Sequence, residues 1–384
     1  MEFKLSEEHL MIRQAARDFA NTECLPGVIE RDEHQKFPYE QVMELADLGF
    51  LGMMVPEEYG GTGLDTISYV LAMEEISKVD ASTSVCMSVN NSLVCYGLEA
   101  FGTKEQKEKY LTPLAHGKKD GELYIGAFLL SEPEAGSDAT SQRTTAVEYE
   151  DHYLVNGVKN WITNGNSASV YLVIAQTDSE KKSHGINVFI VEKNWPGVKV
   201  GQKENKLGIR GSDTHSVSFT DVKVPKENRI GEDGFGFIFA MKTLSGGRIG
   251  IAAQALGLAS GAMERSIGYA KERKTFGTEI KNHQIIQFKI ADMATRIDAA
   301  RLLCLRAAWQ KDMGQDYTES AAMAKVFASE TAMWVTTEAV QIHGGYGYVK
   351  EYHVERMMRD AKITQIYEGT SEMQRIIISR EVLR

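Results

Sequence analysis

Hydrophobic periodicity changes twice along this chain, and the two changes constrain its architecture more than any single motif. Up to about residue 122 the apolar residues recur at helical spacing. Ser6, followed by Glu7 and Glu8, has the form of an N-cap with acids in the first turn. Ile12, Ala15, Ala16 and Phe19 then fall on one helix face. TISYVLAMEEISKV and SVCMSVNNSLVCYGLEAF continue as helices, with PEEYGGTGLD as a loop before the first of them. The next hundred residues are short β-branched and aromatic runs: YIGAFLLS, TTAVEYE, HYLVNGVKNWI, VYLVIAQT, GINVFIVE and HSVSFTDVKV. No helical pattern separates these runs, which predicts an antiparallel sandwich or barrel. Asn156-Gly157 predicts a hairpin turn, since both central positions of that turn favour positive φ. Helical spacing returns near residue 237 in IGIAAQALGLASGAMERSIGYAKER. It persists in ESAAMAKVFASETAMWVTTEAVQIHGG, which Gly344-Gly345 should stop. The expected fold is α+β in three parts: a helical domain over 1–122, a β domain over 123–236 and a helical domain over 237–384. A length of 384 residues, too great for one ordinary core, agrees with that division.

Charge and motif content then remove whole classes of function. The formal net charge of −10 argues against nucleic acid as a partner and against docking on anionic lipid. No apolar run reaches the roughly 20 residues of a membrane span, so no stable membrane insertion is expected. The first residues carry acids where a targeting peptide would be basic, and a bacterial cytoplasmic protein fits best. Cys24, Cys86, Cys95 and Cys304 show no CxxC spacing, which predicts reduced thiols. The sequence has no GxGxxG after a strand, no P-loop, no HExxH and no GxSxG. No metal site is expected, and His343 reads as a packing or helix-end histidine.

Three polar, glycine-bearing stretches remain: LLSEPEAGSDA at 129–139, NWITNG at 160–165 and IYEGTSE at 366–372. The last holds Glu368, which its own neighbours leave open as either a solvated loop acid or a base in a pocket. Together with ERKTFG at 272–277 and QIHGGYG at 341–347, these stretches give a chain that resembles the acyl-CoA dehydrogenase family in order, spacing and extent. The resemblance implies a helical domain, a β domain and a C-terminal four-helix domain, and it implies FAD bound without a Rossmann fold. Phe128, Leu130 and Ser131 are implied on the flavin side. Gly136 and Ser137 are implied near FAD phosphate and bound acyl-CoA. Trp161 matches the aromatic that covers the flavin rings, and Thr163 the hydroxyl that reaches flavin N5. Arg273, Thr275 and Phe276, followed by His283 and Gln284, match a segment lent to the FAD of a neighbouring subunit. Gln341, Gly344 and Gly345 match the turn along the adenosine half, and Thr370 and Glu372 are implied as further neighbours of FAD. A site shared in this way implies an oligomer, in the family usually a homotetramer built as a dimer of dimers.

By the same resemblance the reaction removes an α-proton and a β-hydride from an acyl-CoA thioester, and electrons pass to an electron-transfer flavoprotein. Glu368 matches the base, with Tyr367 and Gly369 shaping the space between base and flavin. Some members place the base on the long helix near TLSGGRIG; here Gly246 and Gly247 stand there. Leu244, Ser245 and Arg248 of that stretch are implied on the substrate side. Arg248 has a structural helix arginine as its alternative. Ser245 replaces an aspartate common in relatives, which leaves the CoA contact at this position open. MSVNNSL at 87–93 resembles the short-chain, butyryl-CoA members, and DASTSVCMSV lacks the basic residue expected of glutaryl-CoA members, Ser84 standing at that position. Branched-chain and cyclic acyl-CoA substrates, a flavin oxidase on the same fold and a non-catalytic acyl-CoA-binding protein are the competing readings.

Overall fold

Ser6 starts the first helix as its sequence predicts. In the computed structural model, which describes residues 4–384, its hydroxyl accepts from the His9 amide at 3.1 Å. Helix α1 (Glu7–Phe19) then buries Ala16 and Phe19. Helix α2 (Thr66–Ser77) is capped by Asp65, which accepts from the Ser68 amide at 2.7 Å. It runs through the interior, and Arg17 and Arg301 reach its buried Glu75 and Glu74 at 3.0 and 2.7 Å. Buried carboxylates need such partners, because an isolated buried charge is costly.

Helix α3 (Ala81–Ser88) continues through a π-helical turn, Val89–Cys95, into Tyr96–Phe101. The MSVNNSL stretch lies across this turn, where its two asparagines tie the helix to its surroundings. Asn90 donates to the carbonyls of Leu51 (2.8 Å) and Leu114 (3.0 Å) and accepts from the Gly126 amide (2.9 Å). Asn91 accepts from the Met53 amide (2.9 Å) and donates to the Phe50 carbonyl (2.8 Å).

The middle of the chain forms one seven-stranded sheet from β1 (Gly126–Leu129), β2 (Thr145–Glu148), β3 (His152–Thr163), β4 (Val170–Gln176), β5 (Ile186–Glu192), β6 (Val198–Lys203) and β7 (Thr214–Pro225). The order is β1-β4-β2-β3-β7-β6, with β5 added to β4. Most pairings are antiparallel, but β1 lies parallel to β4 and β2 touches β4 in parallel at Thr145. The Asn156-Gly157 expectation is corrected here. Both residues lie inside the 12-residue strand β3, at a register shift between Val155 and Gly157. Asn156 is held by Asp221, accepting from its amide at 2.9 Å and donating to its carboxylate at 3.1 Å, so this pair builds a bulge rather than a turn. The hairpin reverses earlier, at Glu150 and Asp151, where the Tyr149 amide donates to the His152 carbonyl at 2.8 Å.

The C-terminal part packs α4 (Gly236–Glu272), α5 (Gln284–Asp312), α6 (Thr318–His343) and α8 (Ser371–Val382), with α7 (Val354–Ile363) alongside. Alanine and glycine on α4 let its neighbours come close; a Cβ at Gly257 would strike the Glu74 carbonyl of α2. Helix α6 stops at Gly344, whose φ of +59° suits glycine. His343 is buried, with Nδ1 2.8 Å from the Ala339 carbonyl and its ring stacked on Tyr269. All four cysteines are free and buried, and burial pushes their thiols upward. Among the described residues no helix is long and apolar enough to cross a membrane.

Candidate active site

The segment between α7 and α8 is pinned at both ends. The Thr364 hydroxyl donates to the Ala361 carbonyl at 2.7 Å, and Thr370 caps α8 by accepting from the Met373 amide at 3.3 Å. Between these points the backbone turns left-handed at Glu368 (φ +52°) and Gly369 (φ +94°). A non-glycine residue in that region is strained and persists only where its surroundings over-determine it. Three bonds supply that constraint. The Lys325 ammonium donates to the Gly369 carbonyl at 2.6 Å, Gln374 donates to the same carbonyl at 2.8 Å, and the Tyr367 hydroxyl donates to Gln254.

The turn sends the Glu368 carboxylate inward. The residue as a whole is only half-buried, but its Oε2 is buried and has no hydrogen-bond partner among the described residues. That atom sets the electrostatics, and loss of water raises the carboxyl pKa to about 7, with Lys325 and then Arg248 opposing the rise. Gly247 makes the space: a Cβ built there would fall on the Glu368 carboxylate and 2.8 Å from Leu93 Cδ2. At the neighbouring Gly246 a built Cβ meets nothing nearer than Ser92 O and Tyr317 Oη, both at 3.8 Å, and Lys311 Nζ at 3.9 Å, so space with polar walls remains on that side of the helix.

Arg248 is buried and donates to the Ser245 hydroxyl at 3.2 Å, while its Nε has no partner among the described residues. Ser245 in turn donates to the Met241 carbonyl at 3.1 Å. Leu244 packs with Phe128, Leu130 and Leu93 in one apolar cluster, which joins the long helix to the end of β1. Two further stretches meet here, as the Asn160 amide donates to the Ser131 carbonyl at 2.9 Å. The Lys159 ammonium, wholly buried, holds the Leu130 carbonyl (3.1 Å), Glu132 (2.7 Å) and Gln142 (2.5 Å), closing the loop that carries Gly136 and Ser137. Gly136 and Ser137 themselves are exposed. Trp161 stands off the sheet with φ +62° and 60% exposure, a large aromatic face without protein cover. Thr163 ends β3 opposite Thr214.

The other expected cofactor residues gather elsewhere. Arg273, Thr275, Gly344 and Gly345 line a cavity of about 750 Å³ that includes none of Glu368, Trp161 or Thr163. Arg273 lies over the Tyr346 ring, 5.5 Å from its centroid. Thr275 pairs with His283 at 3.1 Å, and Phe276 is 98% exposed. Gln284 and Gln341 are exposed beside these elements, and Glu372 is exposed in the first turn of α8. Open space at Gly344 and Gly345, uncovered aromatic faces at Trp161 and Phe276 and a guanidinium able to grip phosphate suit a large, partly aromatic, anionic cofactor. Lys325, Gln254 and Lys159 escaped sequence reasoning. The signal for Lys325 was available: it occupies the alanine stripe of α6 formed by Ala321, Ala328 and Ala332, where a charge is out of place.

Comparison with known proteins bears on the same regions. Family models described as the N-terminal, middle and C-terminal domains of acyl-CoA dehydrogenase match residues 6–118, 127–222 and 234–383. A short-chain specific acyl-CoA dehydrogenase of Clostridium acetobutylicum is 50% identical over 384 residues, which is 100% of both chains. The butyryl-CoA dehydrogenase structure from Megasphaera elsdenii superposes with a TM-score of 0.97 at 48% identity, covering 100% of each chain. A chain in a structure reported as the electron transferring flavoprotein of Acidaminococcus fermentans reaches 0.98 at 51% identity, again over 100% of both.

Proposed function

Because the chain belongs to the acyl-CoA dehydrogenase family of FAD-dependent oxidoreductases, we propose that it converts a short-chain acyl-CoA to the trans-2-enoyl-CoA and passes the electrons to an electron-transfer flavoprotein. One observation carries the residue-level reading: Glu368 Oε2 is buried, has no hydrogen-bond partner among the described residues and is aimed into the space that Gly247 leaves. A carboxylate in that state is a stronger base than one in water. Glu368 takes the α-proton. Its own amide has no partner among the described residues, so it is free to donate to the thioester oxygen as charge grows there. Tyr367 and Gly369 keep that amide and the carboxylate on the substrate side of the turn. Leu244 and Leu93, members of one apolar cluster, supply a bed for a short acyl chain. Arg248, buried within reach of Ser245, adds positive potential beside the base.

FAD, when bound, supplies the acceptor for the hydride that leaves the β-carbon. Phe128, Leu130, Ser131, Trp161 and Thr163 would hold it on the sheet side. Arg273, Thr275, Phe276, Gln341, Gly344 and Gly345 would serve a neighbouring subunit in a homotetramer. The short-chain preference draws on the C. acetobutylicum and M. elsdenii relatives, and the electron acceptor on the A. fermentans structure.

Anaerobic titration of the holoenzyme with acyl-CoAs from C4 to C8 tests the reading. Butyryl-CoA should bleach the flavin, and E368Q should bind the ligand without bleaching. No bleaching by any of these substrates, or full turnover by E368Q, overturns it. Rapid peroxide formation in air would indicate an oxidase instead.

A further inference from the structure

Lys325 belongs to a helix face otherwise made of alanine. Ala321, Lys325, Ala328 and Ala332 all have 0% exposure. Its ammonium has three donors and one acceptor among the described residues, the Gly369 carbonyl at 2.6 Å. It makes no ion pair within 4.0 Å among the described residues. The charged groups that act on it come from three elements: Glu368 from the turn, Arg248 from α4 and Glu372 from α8. Lys325 and Arg248 are the charges that act on Glu368, and Glu368 in turn acts on the buried hydroxyls of Tyr69 and Tyr367, which are held by Ser88 and Gln254. One acid with a buried carboxylate oxygen is therefore under the influence of two buried cations. Only one of them, Lys325, also holds the backbone of the turn that presents the acid.

We propose that Lys325 is the positioning residue of the base: through the Gly369 carbonyl it holds the left-handed Glu368–Gly369 turn, and its charge favours the ionised carboxylate. This rests on reading Glu368 as the base. Burial drives Glu368 upward and Lys325 downward while each group's charge resists the other's shift, and the balance leaves both at about 7. Arg248 opposes the rise in Glu368 less strongly than Lys325 does, so the lysine is the principal counter-charge.

Two substitutions separate its two roles. K325Q keeps a donor for the Gly369 carbonyl and loses the charge; K325M loses both. In the holoenzyme, K325Q should move the acidic limb of the kcat/KM profile upward by about one pH unit, a loss of roughly tenfold at a fixed acidic pH. K325M should show the same shift and a further fall in kcat. The protonated-carboxyl band of Glu368 in the infrared spectrum of ¹³C-glutamate-labelled protein, identified by its absence in E368Q, should persist to correspondingly higher pH. K325R should return both readouts toward the wild type. If E368Q still turns over, the base reading fails. If E368Q is dead while limb and band stay unmoved in K325Q, the role of Lys325 alone is overturned. Failure of K325M to fold leaves K325Q and K325R to decide, because both retain the donor.

Discussion

At the scale of single residues, the site depends on an absent methyl group. A side chain at 247 and the carboxylate of Glu368 claim the same volume, and displacement of a reacting group by about 1 Å can cost roughly 100-fold. G247A is therefore expected to lower kcat by about two orders of magnitude while the chain still folds, as steady-state assays and circular dichroism would show. Glu368 also bears on stability. With a pKa of about 7 in the fold against an ordinary 4.5, the folded chain holds this proton more tightly than the unfolded chain does. The resulting stabilisation is complete below pH 4.5 and disappears as the pH rises through 7, a difference of about 3 kcal/mol at most. E368Q cannot ionise, so it should melt above the wild type near pH 8.5 and close to it near pH 5; thermal melts at the two pH values check this. None of this was legible in QIYEGTSE. The groups that bury and oppose the acid are Gly247, Leu93 and Lys325, distant in sequence and brought together only by packing.

At the scale of elements, periodicity carried most of the information. The capped α1, the long α4 and α6 and the six strand-like runs stand where spacing and residue type place them. The Asn-Gly pair misled because its turn preference is a local signal, while the Asp221 side chain across the strand imposes a bulge. Strand β6 went unnoticed because VKVGQK has only two apolar residues and buries none of its side chains fully. The parallel β1–β4 pairing also lies beyond a rule built on sequence order, since the chain returns to the first strand by way of the hairpin. The asparagines of MSVNNSL, the stretch that resembles the short-chain members, have a mechanical task. Asn90 satisfies two carbonyls and an amide from three separate segments and is fully buried. N90A leaves all three without that partner and is expected to cost about 3 kcal/mol or more, at roughly 1–3 kcal/mol per buried group. Urea unfolding of the variant, with an unchanged m-value, would show it.

At the scale of the whole molecule, the order of helical, β and helical parts could be read from the sequence because each part keeps its own period over many residues. The packing around Glu368 could not. The long helices bring Gly247 and Lys325 to the turn that carries the acid. Apart from Thr370 and Glu372 at the start of α8, the expected cofactor residues fall into two groups within one chain, one around β1 and β3 and one around the ends of α4 and α6. The four buried thiols report on this joint packing. Cys24 and Cys86 lie in the core shared by the two helical parts, Cys95 lies in the cluster that joins the first helical part to the sheet, with its Sγ 3.9 Å from the Leu51 carbonyl, and Cys304 lies against α4 with its Sγ 3.8 Å from the Ile249 carbonyl. Each is no more than 1% exposed. Native protein should consume almost no thiol reagent, and urea-unfolded protein should consume four equivalents, one per cysteine; rapid labelling of the native state would refute the packing described. Labelling each cysteine by mass spectrometry would then time the opening of each junction separately, so the chain contains its own set of clocks, showing which seam parts first when it is heated.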